Sequence, residues 1–295
     1  MPPVIRIGTR GSALARKQTD IVSKHLGDHG LQTEIIVIRT QGDAETNVPL
    51  HEVGGQGIFV RALDEAILHG EIDCAVHSMK DIPAARPDGI STAAILPRDP
   101  PTDYLAFEIP IDDLRIIGTS STRRRAQLKR YNSELEIREL RGNIDTRIKK
   151  LKSGEYDAIM LAEAGLVRMS LHVNGIRLPT HDFVPAPNQG TIAVVCRDER
   201  SLIEAISSLD HPATRIDTMI ERAVMEEVGG GCFTPQGIYC HKGHLIAEVL
   251  SLDGRRYERM VEQVHTVDEA REIGEELKRR SNDLILEAKS TLGLK

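Results

Sequence analysis

Residues 4–26 read VIRIGTRGSALARKQTDIVSKHL and pair a short apolar strand with a helix. The strand is predicted over 4–8, and the helix runs from its cap Ser12 to about Leu26, where Gly27 closes it. A buried strand at 34–38, a helix at 58–68 and another strand at 73–77 follow. Strands that alternate with helices of this length predict an α/β fold with a parallel or mixed sheet covered by helices on both faces.

A second α/β set follows a proline-rich break at 97–101. Its strands are predicted at 115–118, 136–138 and 157–161, and its helices at 121–131 and 144–152. After Pro185 and Pro187, the apolar run 191–195 predicts a buried strand that returns to the first sheet. Two crossings between similar α/β lobes predict a hinged pair of domains with a cleft.

The last third of the chain has a different pattern. Helices are predicted at 214–228 and 267–292, with strands at 238–240, 245–252 and 257–264 between them. This order predicts a small α+β domain with a three-stranded antiparallel sheet. The predicted boundaries are 1–97 with 190–208 for the first α/β domain, 102–185 for the second, and 213–295 for the α+β domain.

Composition excludes several classes of protein. The 295 residues are 40% hydrophobic and 28% charged, which is typical of a globular protein. A net charge of −6 and an aromatic content of 3% argue against a nucleic-acid partner. No apolar run reaches the roughly 20 residues of a membrane span, and the N-terminal residues lack the apolar segment of a signal peptide. Four cysteines without a CxxC motif, and no metal-ligand spacing, predict a cytoplasmic protein that holds no metal.

Basic residues are concentrated between 115 and 150, with eleven Lys and Arg against four acids. Four of these arginines fall at predicted strand-to-helix turns, namely Arg123, Arg124, Arg141 and Arg147. Arg6, Arg10 and Ser12 fall near the equivalent turn of the first lobe. Helix N-termini and forked guanidinium donors bind carboxylates and phosphates, so these turns predict a ligand with several negative groups. The alternative is a solvated basic helix face, which is favoured for Arg125, Lys129, Lys149 and Lys150.

A second polar cluster is the run HSMKDIP at 77–83, which follows a predicted strand. Ligands of open α/β sheets lie at the carboxyl ends of strands. Asp81 could act as an acid or as a counter-ion to a cationic intermediate, and Lys80 could pair with a substrate carboxylate. Capping and ion pairing alone would explain the same residues.

Two glycine-rich segments stand out. Cys232 follows three glycines, which would expose its thiol on a loop, although a simple loop cysteine is the alternative. Cys74 and Cys196 are expected to be buried, and Cys240 is expected to be structural. The other segment, VGGQGIF at 53–59, lacks the residues of a phosphate-binding loop and predicts a mobile lid. Its predicted lid residues are Gly54, Gly55, Gly57 and Phe59.

Six motifs together resemble the porphobilinogen deaminase (hydroxymethylbilane synthase) family over essentially the whole chain. They are RIGTRGS at 6–12, AVHSMKDIP at 75–83, GTSSTRR at 118–124, LRGN at 140–143, QG at 189–190 and GGC at 230–232. The resemblance implies two lobes like those of periplasmic binding proteins and a small domain that bears the cofactor cysteine. It also implies the condensation of four porphobilinogen molecules, head to tail, into hydroxymethylbilane with release of ammonia.

The resemblance further implies residue roles. A dipyrromethane cofactor would be attached to Cys232 through a thioether, and Asp81 would be the catalytic carboxylate that contacts pyrrole N–H groups, assisted by Lys80. The cationic intermediate of such a reaction independently leads us to expect a buried carboxylate there. Cofactor contacts are implied for Lys80, Asp81, Ser120, Ser121, Arg123, Arg124 and Arg141. Substrate contacts are implied for Arg6, Arg10, Ser12, Arg147, Arg168 and Gln189. The family often has lysines around the glycine loop where this chain has Glu52 and Gln56, so no lid contact is carried over.

Two other functions fit parts of the pattern. A non-catalytic anion-binding protein on the same two-lobe fold would explain the arginine turns, but neither the third domain nor Cys232. A nucleic-acid binder could use the basic segment 115–150, although the negative net charge of the chain argues against this function. Retention of a pyrrole cofactor would exclude both. The enzyme is expected to act as a monomer on a small-molecule substrate, without a membrane or nucleic-acid partner.

Overall fold

A computed structural model describes residues 4–38, 58–83, 86–229 and 233–293. The chain divides into two compact units, one comprising Met1–Asp99 with Gly190–Arg215 and the other Pro100–Gln189 with Ile216–Lys295. The described strands and helices, in chain order, are β1 Ile5–Thr9, α1 Ala13–Asp28, β2 Thr33–Val37, α2 Ile58–Leu68, β3 Cys74–Ser78, β4 Ile90–Ile95, β5 Asp103–Phe107, β6 Ile116–Gly118, α3 Thr122–Tyr131, β7 Glu136–Arg138, α4 Ile144–Lys152, β8 Ala158–Ala162, α5 Glu163–Arg168, β9 Gly175–Arg177, β10 Ile192–Arg197, α6 Arg200–Ile206, α7 Pro212–Val228, β11 Gln236–His241, β12 His244–Leu250, β13 Tyr257–Gln263 and α8 Val267–Thr291.

The first unit is built on a five-stranded mixed sheet in the order β2-β1-β3-β10-β4. β1 runs parallel to β2 and β3, whereas β10 runs antiparallel to β3 and β4. Apolar side chains alternate along β3, so Val76 packs towards Val22 of α1 while Ala75 packs towards Leu63 of α2. Helices therefore cover both faces, and the prediction that 191–195 returns to the first sheet is confirmed.

Two local predictions for the first unit are wrong. β2 was expected to be buried, but it is an edge strand, and Ile35 and Val37 are 38% and 39% exposed. The glycine expected to end α1, Gly27, lies inside that helix. The chain instead leaves the helix at His29, and Gly30 takes a positive φ of 80°, the conformation that glycine adopts most readily.

The second unit contains a sheet of the same topology, in the order β7-β6-β8-β5-β9. β6 runs parallel to β7 and β8, and β5 is the antiparallel strand in the position that β10 holds in the first sheet. In each sheet the antiparallel strand follows a point where the chain crosses between the two units. The crossing at 99–100 precedes β5, and the crossing at 189–190 precedes β10. The carboxyl ends of the three parallel strands therefore lie at one edge of each sheet.

The same unit also contains the C-terminal sheet, antiparallel and in the order β11-β12-β13 as predicted. Helices α7 and α8 supply Val224 and Leu277 to a core with Leu245 and Val249 of β12. The fold class is therefore two mixed α/β sheets with helices on their faces and a small α+β part. The boundaries predicted for three separate domains stay a prediction. Of the described helices, none is long and apolar enough to cross a membrane.

Candidate functional site

In the first unit, the predicted polar residues gather where β1 and β3 end. Arg10 directly follows β1, and the Ser12 hydroxyl caps α1 by accepting a hydrogen bond from the backbone nitrogen of Ala15 at 3.3 Å. Lys80 and Asp81 lie on a short 3-10 turn, Met79–Asp81, that directly follows β3. Both side chains are exposed, so the expectation of a buried carboxylate at Asp81 is wrong: the turn carries it beyond the packed end of the strand.

Backbone and side-chain hydrogen bonds hold the Met79–Asp81 turn. The backbone nitrogen of Met79 donates to the carbonyl of Thr191 at 2.9 Å. Just before the turn, Ser78 Oγ accepts a hydrogen bond from Gln18 Nε2 at 2.8 Å. Gln18 lies on α1 with only 2% of its surface exposed, and it was not among the predicted site residues. A polar residue on the buried face of the helix is the signal that could have identified it.

His77, the residue before Ser78, is a buried imidazole within the same edge of the sheet. Burial, together with the positive charges of Arg86 and Arg10, lowers the pKa of His77 to about 3. Its Nε2 atom has no hydrogen-bond partner in the part of the chain that the structure describes. The imidazole is therefore neutral at physiological pH. The charged side chains at this edge are those of Arg10, Lys80 and Asp81.

Arg6 does not lie with Arg10 and Ser12, the other predicted substrate contacts of the first unit. It is near the amino end of β1, where its Nη2 atom lies 2.8 Å from Asp73 Oδ1 and its Nη1 atom donates to the carbonyl of Glu71 at 3.0 Å. Asp73 directly precedes β3, so this ion pair is at the opposite edge of the sheet from Arg10. The structure therefore gives Arg6 a role in joining two strands, and its substrate contact stays a prediction.

In the second unit, the turns after β6 and β7 bring the predicted residues together. The Ser121 hydroxyl caps α3 by accepting from the backbone nitrogen of Arg124 at 3.4 Å. Arg141 lies on the next turn and donates from Nη2 to Glu139 Oε1 at 2.6 Å. Gly142 then adopts φ 106°, and a Cβ atom there would lie 2.8 Å from Thr146 Cγ2, so the turn requires glycine. The predicted edge site is thus a pair of strand-end turns.

Arg147 belongs to the same edge and carries an unfavourable charge. Its Nε atom donates to the carbonyl of Gly142 at 2.8 Å. Burial, and then the nearby positive charge of Arg124, lower the pKa of Arg147 to about 10. Arg168, another predicted contact, ends the short helix α5 and is buried, with 7% of its surface exposed.

Arg123 and Arg124 are buried against a carboxylate that the sequence had not singled out, Asp103. Asp103 Oδ2 lies 2.7 Å from Arg123 Nη1, and Oδ1 lies 2.7 Å from Arg124 Nη2. Burial alone would raise the pKa of Asp103, but the charges and hydrogen bonds of the two arginines outweigh it and hold that pKa well below its usual range. Asp103 opens β5 after a run of prolines, and nothing local marks it as the partner of residues twenty positions away.

Gln189, for which the resemblance implies a substrate contact, belongs to the same buried cluster, and that contact stays a prediction. Its Nε2 atom donates to Asp103 Oδ1 at 2.9 Å and to the carbonyl of Pro101 at 2.7 Å, and 1% of its surface is exposed. The side-chain amide of Gln189, at the end of the chain segment 100–189, is therefore bonded to Pro101 and Asp103 at the start of the same segment.

Several predicted residues lie outside the described part of the chain. Cys232 and the lid residues Gly54, Gly55 and Gly57 are among them, as are Glu52 and Gln56; of Phe59, only the backbone at the start of α2 is described. The other cysteines, Cys74, Cys196 and Cys240, are buried free thiols as predicted. Burial raises the pKa of Cys196 to about 11 and that of Cys240 to about 12, so these thiols stay protonated.

The charges of the polar residues in the second unit indicate which kind of ligand they could bind. Arg123 and Arg124 are both bonded to the carboxylate of Asp103, and the positive charge of Arg124 also acts on Arg147. A ligand that brings its own carboxylates would neutralise the excess charge. Dipyrromethane, a chain of pyrroles with carboxylate side groups, fits this donor set, and the arginines with Ser121 would hold it.

Together, the two edges define a two-sheet α/β protein with strand-end sites for a ligand that carries several carboxylates. Residues 5–205 match the family described as "Porphobilinogen deaminase, dipyromethane cofactor binding domain", and residues 216–281 match "Porphobilinogen deaminase, C-terminal domain". The chain belongs to the porphobilinogen deaminase family. It is a transferase of the hydroxymethylbilane synthase type, and its cofactor is dipyrromethane.

Two sequence relatives support this assignment along most of the chain. A "Probable porphobilinogen deaminase" of Methanosarcina acetivorans is 50% identical over 92% of this chain and 90% of its own length. One from Archaeoglobus fulgidus is 41% identical over 92% of this chain and 97% of its own. Among solved structures, a periplasmic substrate-binding protein of an ABC transporter from Coxiella burnetii superposes with a TM-score of 0.43 and 15% identity, over 72% of this chain and 94% of that one.

Proposed function

We propose that this chain catalyses the condensation of four porphobilinogen molecules and one water into hydroxymethylbilane, with four ammonia molecules released. The observation that carries the proposal is the excess of positive charge at Arg123 and Arg124, which are buried around a single carboxylate, and at the half-buried Arg147. Each pyrrole of the substrate and product carries two carboxylates, which match this charge. The reaction belongs to tetrapyrrole biosynthesis, and we place the product on the route to heme.

Asp81 has the electrostatic role in each coupling. The C–N bond of the substrate aminomethyl group breaks, ammonia leaves, and the substrate becomes a cationic azafulvene. A carboxylate beside the cation stabilises the positive charge that develops. Asp81 is exposed on a turn that backbone hydrogen bonds fix at the end of β3, so its carboxylate can reach a pyrrole ring. Lys80 on the same turn pairs with a substrate carboxylate.

The remaining predicted residues bind and orient. Cys232 would form the thioether to the cofactor. The cofactor, when bound, would supply the terminal pyrrole carbon to which the next substrate is joined, and that carbon would lose its proton as the new C–C bond forms. Arg141, Ser121 and Arg147 bind cofactor and substrate carboxylates at the second sheet, while Arg10 and Ser12 do so at the first. Tethering the growing chain makes each coupling effectively intramolecular, which removes much of the entropic barrier of a bimolecular step.

We further propose that the enzyme acts in the cytoplasm as a monomer, organised as the three domains that the sequence predicts. The free thiols of Cys74, Cys196 and Cys240 support a reducing compartment.

The test is an intact-mass measurement on the purified protein, followed by peptide mapping. The mature chain should be heavier than its sequence by two porphobilinogen units less two ammonia molecules, with the added mass on the peptide that contains Cys232. Cys232→Ser should lose this mass, because a hydroxyl is a far weaker nucleophile than a thiolate. Cys196→Ala, at a buried thiol, should keep it. Added mass on another cysteine, or no added mass, would refute the proposed tether.

Asp81 is tested separately from the tether. Asp81→Asn should fold and accept cofactor from preformed hydroxymethylbilane, yet lose about 10²–10³ in turnover. Asp81→Glu should keep part of the activity, because the charge survives one methylene further out. Asp88→Asn, at an exposed aspartate of the same unit, is the matched control and should turn over normally. Normal turnover by Asp81→Asn would remove Asp81 from the mechanism.

A further inference from the structure

Asp103 lies fully buried at the start of β5, in contact with two arginines to which the resemblance gives cofactor contacts. We propose that Asp103 is a positioning residue that holds Arg124 in the orientation and the charge balance in which it takes up a cofactor carboxylate. The inference rests on the proposed function and extends it to a residue outside the family motifs quoted above.

The hydrogen bonds of Asp103 leave little freedom to either guanidinium. Oδ1 accepts from Arg124 Nε at 3.0 Å and from Arg124 Nη2 at 2.7 Å. Oδ2 accepts from Arg123 Nη1 at 2.7 Å. Because a guanidinium is planar, two bonds from one edge of the group to one carboxylate oxygen fix the plane and the direction of the rest.

Beyond Asp103, the two arginines have different neighbours. Arg123 also donates to Gln127 Oε1 and to the carbonyl of Val184, both at 2.9 Å, so its guanidinium is held within the unit. Arg124 is close enough to Arg147 to lower the pKa of that residue. Arg147 itself bonds to the strand-end turn at Gly142. Arg124 also donates from Nη1 to the carbonyl of Met160 at 3.2 Å, so both guanidinium groups are held within the unit, but only the charge of Arg124 acts on Arg147.

The charge balance gives Asp103 a second role. One carboxylate between two buried guanidinium groups leaves a net charge of one, which a single ligand carboxylate can neutralise. Without Asp103, two buried charges would repel each other, and breaking a buried ion pair by removing one partner is strongly destabilising. Asp103 thus offsets one charge and leaves the other for the ligand.

Asp103 is itself held in place from the second crossing segment. Gln189 Nε2 donates to Asp103 Oδ1 at 2.9 Å and to the carbonyl of Pro101 at 2.7 Å. The amide therefore fixes the carboxylate relative to its own strand. A site whose charged groups are oriented before the ligand arrives avoids reorganisation when it binds, which is the advantage of preorganised electrostatics.

The experiment compares Asp103→Asn with Glu248→Gln. Glu248 is also a fully buried carboxylate of the second unit; it is bonded to Arg130 and Gln127 and has no direct bond to Arg124. Both variants and the wild type are stripped of cofactor, reconstituted with preformed hydroxymethylbilane, and analysed by intact mass for the fraction of chains loaded. Thermal unfolding is recorded, and kcat and KM are measured per loaded molecule, below all unfolding midpoints.

Both variants should unfold at lower temperature, because each loses a buried ion pair. Only Asp103→Asn should also lose loading, and kcat/KM per loaded molecule should fall roughly tenfold or more, as expected when a charge-assisted contact is lost. Equal loading and equal kcat/KM for Asp103→Asn, Glu248→Gln and wild type would overturn the inference and leave Asp103 a structural residue only.

Two further outcomes are distinguishable. If Asp103→Asn does not fold, Asp103→Glu keeps the charge and moves it by one methylene; reduced loading then supports the positioning role, and unchanged loading refutes it. A wild-type protein that never acquires the cofactor mass would instead refute the proposed function itself.

Discussion

Ser120 and Leu140 are joined by two hydrogen bonds across neighbouring turns. Ser120 Oγ donates to the carbonyl of Leu140 at 2.7 Å and accepts from the backbone nitrogen of Leu140 at 3.1 Å. One turn leads into α3 and the other carries Arg141. A hydroxyl expected to contact the cofactor therefore sets the spacing of the two turns that carry the arginines and the Ser121 cap.

Replacing Ser120 with alanine should disturb that spacing. Ser120→Ala leaves the buried backbone groups of Leu140 without these partners, which should lower the free energy of unfolding by about 1–3 kcal/mol. The fraction of chains that acquire cofactor, measured by intact mass, should fall as well. Ser133→Ala, at an exposed serine of the same unit, should change stability by less than about 0.5 kcal/mol and leave loading intact. Full loading of Ser120→Ala would show that the two turns keep their spacing without the hydroxyl.

Arg147 is expected to lower the stability of the folded protein while it contributes to substrate binding. Because its pKa is lowered to about 10, its charge is less favourable in the folded state than in the unfolded state. Arg147→Gln should therefore keep or raise the unfolding temperature while it raises KM for porphobilinogen. Lys149→Gln, on the exposed side of the same helix, should change neither quantity. An Arg147→Gln variant with the wild-type KM would place Arg147 outside the ligand site.

His77 should make the protein sensitive to acid. Its pKa falls from an ordinary 6.5 to about 3 on folding, so between these values the unfolded state binds a proton that the folded state does not. The stability that the neutral imidazole contributes is present above pH 6.5 and is lost as the pH falls, by about 1.4 kcal/mol per pH unit.

The measurement is urea unfolding of wild type and His77→Gln at pH 7.5 and pH 5.0. The destabilisation caused by His77→Gln should be smaller at pH 5.0 by about 2 kcal/mol. His29→Gln, at an exposed histidine of the same unit, serves as the control and should shift the midpoints little at either pH. A His77→Gln destabilisation that is equal at both pH values would contradict the neutral, buried imidazole.

The four thiols should differ in reactivity. Burial raises the pKa values of Cys74, Cys196 and Cys240, so their thiolate fraction is negligible at neutral pH. Native apoenzyme should take up one equivalent of iodoacetamide, on Cys232, and the cofactor-loaded enzyme none; in urea, the apoenzyme should take up four. Native labelling at Cys74, Cys196 or Cys240, or labelling of Cys232 in the loaded enzyme, would contradict this assignment.

The sequence by itself determined the elements and the edge at which most of the polar residues lie. The helix at 58–68 and the helix at 144–152 follow from hydrophobic periodicity, and the structure has both at these bounds. Ser12 and Ser121 could be identified as helix caps because capping depends on residues three positions apart. Parallel strands joined by helices end at one edge of a sheet, so local pattern and connectivity together placed Arg10, Asp81, Ser121 and Arg141 at strand ends.

Only the tertiary structure decided which partners the long polar side chains have. Arg6 and Asp73 are 67 residues apart, and Gln189 and Asp103 are 86 apart, yet both pairs are hydrogen-bonded. No local pattern encodes such a pairing, because it depends on how the strands are ordered and which segments cross between the units. For the same reason, β2 became an exposed edge strand despite its apolar sequence. Arg123 and Arg124 are buried beside Asp103 because the fold brings the start of β5 against α3, and a buried guanidinium requires a carboxylate partner.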